Sequence, residues 1–180
     1  SWIDVNSPWE NTYGLTFRHK FDWINGGKEF IWASEKDGWR HLYRIAKDGS
    51  TETLITRGAF DVMETLLIDT KKEELYFLAS PDNATQKYLF KTKLDGKGKV
   101  ERVTPATLPG THDYNISPNG KYASHTFNNN FTKNSMELIS LPQHKALVES
   151  ESIQTKLKVS EEEKKVEFFK IKTEAGVEMD

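Results

Sequence analysis

Short runs that alternate apolar and polar residues recur along this chain at a regular spacing. Runs of similar sequence form three series, in which successive runs lie 44 to 49 residues apart and on average about 47. The first series lies at 30–34, 75–80 and 122–127, the second at 42–45, 89–92 and 136–139, and the third at 52–56, 101–104 and 145–149. The runs are rich in β-branched and aromatic residues, a composition typical of short β-strands. Because three separate series share nearly one period, we interpret the chain as a tandem repeat of a multi-stranded unit.

Pairs of aspartate or asparagine with glycine separate many of these runs. They are Asp37-Gly38, Asp48-Gly49, Asp95-Gly96 and Asn119-Gly120. Such pairs favour tight hairpin turns, because glycine adopts a positive φ at little cost. The sequence shows no segment of about ten residues with the apolar spacing of an amphipathic helix. Residues 160–163 resemble a helix-capping box, but no apolar stripe follows, so we interpret them as a charged turn.

A repeat of about 47 residues with four short strands has the size of one blade of a β-propeller. We therefore predict an all-β fold, a partial β-propeller: about three four-stranded antiparallel blades that form part of a larger, eight-bladed ring. Residues 1–27 are predicted to end a preceding blade and link it onward, residues 28–150 to form the three blades, and residues 151–180 to be a linker with a first strand toward another domain. The outermost blades should expose apolar faces, so we expect self-association, for instance as a homodimer.

Composition narrows the classes of function. The chain has 180 residues, a formal net charge of -2 and no cysteine. This charge gives no electrostatic reason to expect nucleic acid or an anionic membrane as a partner. Without cysteine there is no disulfide scaffold, thiolate metal site or cysteine nucleophile. The sequence has neither the apolar run of a membrane span nor the start of a signal peptide, so we expect any such segment to be absent or already removed.

Several motifs of these repeats resemble the propeller of dipeptidyl peptidase IV-like enzymes. The segment 29–43, EFIWASEKDGWRHLY, carries the most specific likeness, and residues 2–6, WIDVN, precede it. Further similar segments are 56–62, TRGAFDV, in which Phe60 stands where the family usually has tryptophan, 110–113, GTHD, and 117–122, SPNGKY. The end of the chain, with Glu167-Phe168-Phe169 and 173–176, looks like the crossing into an α/β-hydrolase domain.

This resemblance implies a parent enzyme of the prolyl oligopeptidase group. Such serine peptidases release dipeptides from peptide amino termini, typically after proline or alanine, and their propeller limits access to the catalytic site. The chain itself lacks the Gly-x-Ser-x-Gly pentapeptide that presents the nucleophile in a hydrolase domain. We therefore expect no catalytic residue in this chain, no activity of the chain alone, and a peptide substrate and an α/β-hydrolase domain as the partners of the parent enzyme.

Two residues are candidates for substrate binding. Phe17 and Arg18 align with a Phe-Arg pair that faces the substrate cavity in some family members, where the arginine can bind peptide carbonyl groups or a carboxylate. The alternative is that Arg18 lies on a solvated strand face and Phe17 packs between blades. His112 and Asp113 have no second ligand at the spacing of a metal motif, so we expect them to form hydrogen bonds in a loop, and we expect no metal or cofactor.

A second function remains open at this point. The segment 117–121, SPNGK, is shared by unrelated propellers, so the chain also fits a non-catalytic propeller of the TolB type that binds a peptide, a glycan or a protein. The resemblance to exported peptidases leads us to expect a periplasmic or secreted location in a bacterium. A gene that encodes Gly-x-Ser-x-Gly downstream of this chain would favour the peptidase over the binding module.

Overall fold

The computed structural model describes residues 22–81, 85–129, 132–148 and 169–179, and it is nearly all β-structure in these ranges. Three sheets of four antiparallel strands follow one another along the chain, each built from strands in sequence order. The predicted all-β fold with three four-stranded antiparallel units is confirmed. The proposed segments 1–27 and 151–180 lie largely outside the described residues, and the division of the chain stays a prediction.

The strands of the three sheets are short and are joined by tight turns. Sheet 1 contains β1 (Asp22–Ile24), β2 (Glu29–Ser34), β3 (His41–Ala46) and β4 (Glu52–Leu54). Sheet 2 contains β5 (Val62–Asp69), β6 (Glu74–Ala79), β7 (Tyr88–Lys93) and β8 (Glu101–Arg102). Sheet 3 contains β9 (Thr111–Ile116), β10 (Tyr122–Asn129), β11 (Thr132–Ser140) and β12 (Lys145–Val148).

Two further elements complete the described residues. A three-residue 3-10 turn, Asn25–Gly27, joins β1 to β2. A separate hairpin pairs β13 (Ile171–Lys172) with β14 (Glu178–Met179), and the backbone N–H of Gly176 donates to the carbonyl oxygen of Thr173 at 2.9 Å in its turn. No helix among the described residues is long and apolar enough to cross a membrane.

The predicted hairpin turns form where the aspartate–glycine and asparagine–glycine pairs stand. Their glycines, Gly38, Gly49, Gly96 and Gly120, all have a positive φ. Gly96 also lies tightly against sheet 1, because a Cβ added there would come within 2.4 Å of the carbonyl oxygen of Leu54. A side chain at this position would therefore meet both backbone strain and a clash.

Strand β6 explains why sheet 2 is buried on both faces. Successive residues of a strand point to opposite faces, and β6 is apolar at nearly every position. Leu75 and Phe77 pack into a core shared with sheet 1, whereas Tyr76 and Leu78 pack into a core shared with sheet 3. This double burial is what a middle blade of a propeller requires.

Backbone and ionic contacts also connect neighbouring sheets. The backbone N–H of Val62 in sheet 2 donates to the carbonyl oxygen of Arg40 at 2.7 Å, just before β3 of sheet 1. Arg44 of sheet 1 reaches Glu73, in the turn before β6, with an N–O distance of 2.8 Å. Between sheets 2 and 3, Lys87 and Thr111 form a parallel β-bridge.

Candidate functional site

A buried cluster of histidines lies on the face of sheet 3 that packs toward sheet 2. His112 of β9, His125 of β10 and His144 of the turn between β11 and β12 contribute to it, and none is more than 8% exposed. Strand register explains how the first two meet: His125 is directly opposite Tyr114 on β9, and His112 is directly opposite Phe127 on β10. The rings stack, with centroids of His112 and His125 5.1 Å apart.

One chain of hydrogen bonds runs through the cluster to a carboxyl group. His112 Nε2 lies 3.0 Å from the carbonyl oxygen of Leu108, and His112 Nδ1 lies 2.8 Å from His125 Nε2. His125 Nδ1 then lies 2.8 Å from Glu137 Oε1. Because a carbonyl oxygen only accepts, His112 Nε2 carries a hydrogen. One hydrogen is then needed in each of the three contacts, and with three hydrogens the two imidazoles and the carboxyl group together carry no net charge.

Burial favours the neutral form of His112, His125 and Glu137, the three side chains joined by these hydrogen bonds. Loss of solvent lowers the pKa of His112 to about 3 and that of His125 also to about 3. Loss of solvent likewise raises the pKa of the Glu137 carboxyl group. Loss of solvent therefore disfavours the charged form of all three groups, and one hydrogen shared between Glu137 Oε1 and His125 Nδ1 satisfies both atoms.

A second branch leads from the cluster to sheet 2. Tyr114 OH lies 2.8 Å from His144 Nε2 and 2.8 Å from Thr104 Oγ1. Burial raises the pKa of the Tyr114 hydroxyl group and lowers the pKa of His144. His144 has a φ of 54°, a left-handed conformation in which residues other than glycine are uncommon. Tyr114 therefore joins the histidine cluster to the segment that follows β8.

The cluster offers metal-ligating atoms rather than a hydrolytic set. One atom each of His125, Glu137 and His144 lies within 4.8 Å of the other two. A Ser-His-Asp triad needs a serine within hydrogen-bonding reach of a histidine that a carboxylate orients. Among the described residues, Ser135 is the serine on the same face of β11 as Glu137, and its buried hydroxyl has no hydrogen-bond partner. The arrangement thus provides no activated nucleophile.

Of the site residues considered in the sequence analysis, only His112 belongs to this cluster. Phe17 and Arg18, the candidates for substrate binding, lie outside the described residues. The sequence predicts His112 and Asp113 in a loop, and that placement is wrong because both lie in β9. Their side chains point to opposite faces: His112 enters the cluster, whereas Asp113 is exposed and pairs with Lys87 Nζ at 2.5 Å.

The sequence analysis did not predict that His112, His125 and His144 lie together. The alternation of Ala123, His125 and Phe127 on β10 was a signal that could have placed His125 on the buried face. His144 gave no such signal, because it belongs to a turn whose path the sequence pattern does not define. Glu137 was not predicted for another reason. It lies in β11 between two apolar residues, Met136 and Leu138, and alternation would place such an acidic residue on the exposed face. In the structure Met136 and Leu138 are exposed, and Glu137 faces inward.

The segment 29–43 that carries the most specific resemblance has a structural role in sheet 1. His41 is 2% exposed, and its Nδ1 lies 2.8 Å from Asp37 Oδ2 in the preceding turn. The His41 ring also meets the edge of Phe60, with centroids 5.7 Å apart. Tyr43 is buried, whereas Trp39 is 41% exposed. This motif therefore stabilises the turn before β3 and the contact between sheets 1 and 2.

Comparison with known proteins also relates this chain to the dipeptidyl peptidase IV family. The family described as the dipeptidyl peptidase IV N-terminal region matches residues 3–133. Dipeptidyl peptidase 4 of Trichophyton rubrum is 31% identical over 74 residues, which are 41% of this chain and 10% of that protein. The probable dipeptidyl-aminopeptidase B of Aspergillus oryzae is 29% identical over 94 residues, which are 51% of this chain and 10% of that protein.

A solved structure shares the fold. The crystal structure of Porphyromonas gingivalis dipeptidyl peptidase 4 aligns with a TM-score of 0.68 and 22% sequence identity, covering 88% of this chain and 22% of that one. The chain thus spans about a tenth of the curated relatives and about a fifth of the solved chain. At this level of identity the solved structure supports the fold, a partial β-propeller.

Proposed function

Because the chain belongs to the family of the dipeptidyl peptidase IV N-terminal region, we propose that it is a non-catalytic part of the propeller of a serine exopeptidase that releases amino-terminal dipeptides. In this proposal the propeller shapes the access of peptide to a catalytic α/β-hydrolase domain outside this chain. The observation that carries the proposal is the family match over residues 3–133, together with three successive four-stranded sheets.

The chemistry of the chain supports a non-catalytic role. It contains no Gly-x-Ser-x-Gly pentapeptide. The three histidines of the cluster in sheet 3 hydrogen-bond to one another or to Leu108, Tyr114 and Glu137, and they are at most 8% exposed. A histidine in that environment cannot reach a peptide substrate. The nucleophile and the base of the proposed enzyme are therefore expected in the hydrolase domain.

The decisive experiment uses the protein expressed from its complete open reading frame. We expect hydrolysis of chromogenic glycyl-prolyl and alanyl-prolyl substrates, and no hydrolysis when the substrate amino terminus is acetylated. The matched control is the serine-to-alanine variant of the expected Gly-x-Ser-x-Gly motif. A reading frame without that motif, or a protein that does not distinguish free from acetylated amino termini, would contradict the proposal. The first result would favour the binding module of the TolB type.

Phe17 and Arg18 are part of the same proposal as substrate-binding residues. An arginine that binds the extended substrate contributes in the ground state, so Arg18→Ala should raise KM several-fold for peptides longer than three residues and change kcat little. Phe17→Ala should have a similar but smaller effect through the lost apolar wall. The matched control is Arg57→Ala, at an exposed position before Phe60. Equal KM values for Arg18→Ala, Arg57→Ala and the unchanged enzyme would contradict this assignment.

The proposed location is outside the cytoplasm, in the periplasm or the surrounding medium. The curated relatives named above are fungal, so a bacterial origin stays a prediction. Cell fractionation with antibodies against the protein would test the location, with a cytoplasmic enzyme as the control. Recovery of the protein in the cytoplasmic fraction alone would contradict it.

A further inference from the structure

The buried carboxyl group of Glu137 faces two imidazoles from different parts of sheet 3. His125 projects from β10, Glu137 from the paired strand β11, and His144 from the turn that follows β11. One potential ligand atom of each lies within 4.8 Å of the other two. The rings of His125 and His144 meet edge to face, with centroids 4.7 Å apart. Three potential ligands from three positions of the chain therefore lie close together.

The hydrogen bonds around these donors fix which atom is available. His112 is anchored by its Nε2–H on the carbonyl oxygen of Leu108, so its Nδ1 can accept the hydrogen of His125 Nε2. His125 Nδ1 is then left with a lone pair directed at Glu137 Oε1, 2.8 Å away. Two acceptors at that distance repel each other unless a cation or a hydrogen lies between them. The geometry thus creates a position that a shared hydrogen fills and that a metal cation can take in its place.

We propose that His125, Glu137 and His144 form a binding site for a divalent transition metal ion with the ligand preference of zinc. Two imidazole nitrogens and one carboxylate oxygen are an established donor set for Zn²⁺. On binding, the ion replaces the hydrogen between His125 and Glu137, and that proton leaves to solvent. The ion would tie β10, β11 and the turn before β12 to one another, which makes the site a stabilising one.

The residues around the donors are those that a metal site needs. A ligating histidine normally donates its other ring hydrogen to an acceptor, which orients the ring. His125 meets this condition through His112, and His144 is held by Tyr114, whose hydroxyl group also contacts Thr104. Ser135, on the inner face of β11, has a buried hydroxyl group with no partner among the described residues. It is therefore an unused hydrogen-bonding group on the same strand face as Glu137.

The site is tested by zinc binding to the protein expressed from its complete open reading frame, untagged and stripped with a chelator. Competition with a chromogenic chelator should give one zinc ion bound tightly at this site. Both Glu137→Gln and His144→Asn should weaken its affinity at least tenfold. Asparagine tolerates the left-handed backbone of position 144, so the second variant is designed to fold. Zinc should also raise the melting temperature of the unchanged protein, whereas magnesium should not.

His41→Asn is the matched control, because His41 is also a buried histidine paired with a carboxylate but lies in sheet 1. It should keep the zinc affinity and the zinc-dependent rise in melting temperature, whatever its own stability. Circular dichroism identifies which variants are folded, and affinity is compared among those. Equal zinc affinity in the unchanged protein and in the folded variants of positions 137 and 144 would overturn the proposal. Failure of the unchanged protein to bind zinc more tightly than magnesium would do so as well.

Discussion

Thr56 and Thr104 occupy the same place in successive sheets. The hydroxyl group of Thr56 accepts the backbone N–H of Leu42 at 2.9 Å, and that of Thr104 accepts the backbone N–H of Leu89 at 2.8 Å. In both sheets the residue before the threonine donates its N–H to the carbonyl oxygen of the same leucine at 2.8 Å. The repeat seen in the sequence is therefore also a repeat of hydrogen bonds, and it closes the outer edge of sheets 1 and 2.

Replacing either threonine by valine tests this closure. Valine keeps the shape but leaves a buried N–H without its acceptor, so Thr56→Val should lower the free energy of unfolding by about 1 to 2 kcal/mol. Thr104→Val should cost more, because Thr104 also contacts the hydroxyl group of Tyr114. Urea titration measures both changes. The exposed Thr51 is the control, and Thr51→Val should change little; equal effects at positions 51, 56 and 104 would contradict the proposed role.

Phe60 carries the contact between sheets 1 and 2. Its ring stacks on Phe77 and Phe90, with centroid distances of 6.1 and 6.4 Å, and it is 6% exposed. Phe60→Ala should lower the free energy of unfolding by about 3 kcal/mol, since it removes apolar contacts and leaves a cavity. Phe169→Ala, at a position that is 70% exposed, is the control and should cost less than about 0.5 kcal/mol. Similar losses for both variants in urea titration would contradict the interface.

The ion pairs of Arg44 lead us to predict that the stability of the protein depends on pH. Its guanidinium group donates two hydrogen bonds to Glu29, at 2.9 and 2.8 Å, and one to Glu73 at 2.8 Å. The hydrogen bonds from Arg44 lower the pKa of the Glu29 carboxyl group below its ordinary value of 4.5. A lowered pKa in the folded state stabilises the protein above the pKa of the unfolded state, and the gain disappears as the pH falls through the folded-state pKa.

The corresponding experiment compares Glu29→Gln with the unchanged protein. At about pH 7 the variant should be less stable by about 1 kcal/mol, and the difference should shrink as the pH falls below the ordinary glutamate pKa of 4.5 and through the lowered pKa of Glu29. Glu101→Gln is the control, because Glu101 forms a single ion pair with Lys91 at 3.2 Å and is 59% exposed. It should change stability little at any pH. A difference between Glu29→Gln and the unchanged protein that stays constant down to acid pH would contradict the assignment to Arg44.

The fold was largely predictable because its signals are local and repeat. Aspartate–glycine and asparagine–glycine turns and alternating short strands are properties of adjacent residues, and a period of about 47 residues showed how they group. The double burial of β6 is also visible as a nearly continuous apolar run, 75–79. Sequence spacing did not show that Arg44 would bind Glu73 across two sheets, because Glu73 lies in a turn with a φ of 53°.

The histidine cluster was not predictable, because its members meet through tertiary structure. His112 and His125 are brought together by strand register, and His144 by a turn in a left-handed conformation. A motif search looks for ligands at a fixed spacing, whereas these residues lie on two strands and one turn. The segment that contains Asp37 and His41 resembles the family motif, but the sequence does not show that His41 packs against Phe60.

The outer face of sheet 3 carries exposed apolar residues through which we expect the chain to self-associate. Leu138 and Val148 are paired across β11 and β12, and both are exposed, at 44% and 63%. Met136 lies on the same face of β11 and is 64% exposed. Burying such a patch releases apolar surface from water, so the isolated 180-residue chain should associate in light scattering. Introducing charge with Met136→Lys and Leu138→Lys together should shift it toward the monomer.

Trp39→Lys is the control for this last prediction, since Trp39 is an apolar residue of similar exposure, 41%, in a turn of sheet 1. It adds the same charge per substitution at a position away from sheet 3, so it should leave the association unchanged. If Trp39→Lys dissociates the chain as effectively as the double variant, net charge rather than the outer face of sheet 3 controls association. A chain that scatters as a monomer before any substitution would show that this apolar face is stable in water, and the expected self-association would be wrong.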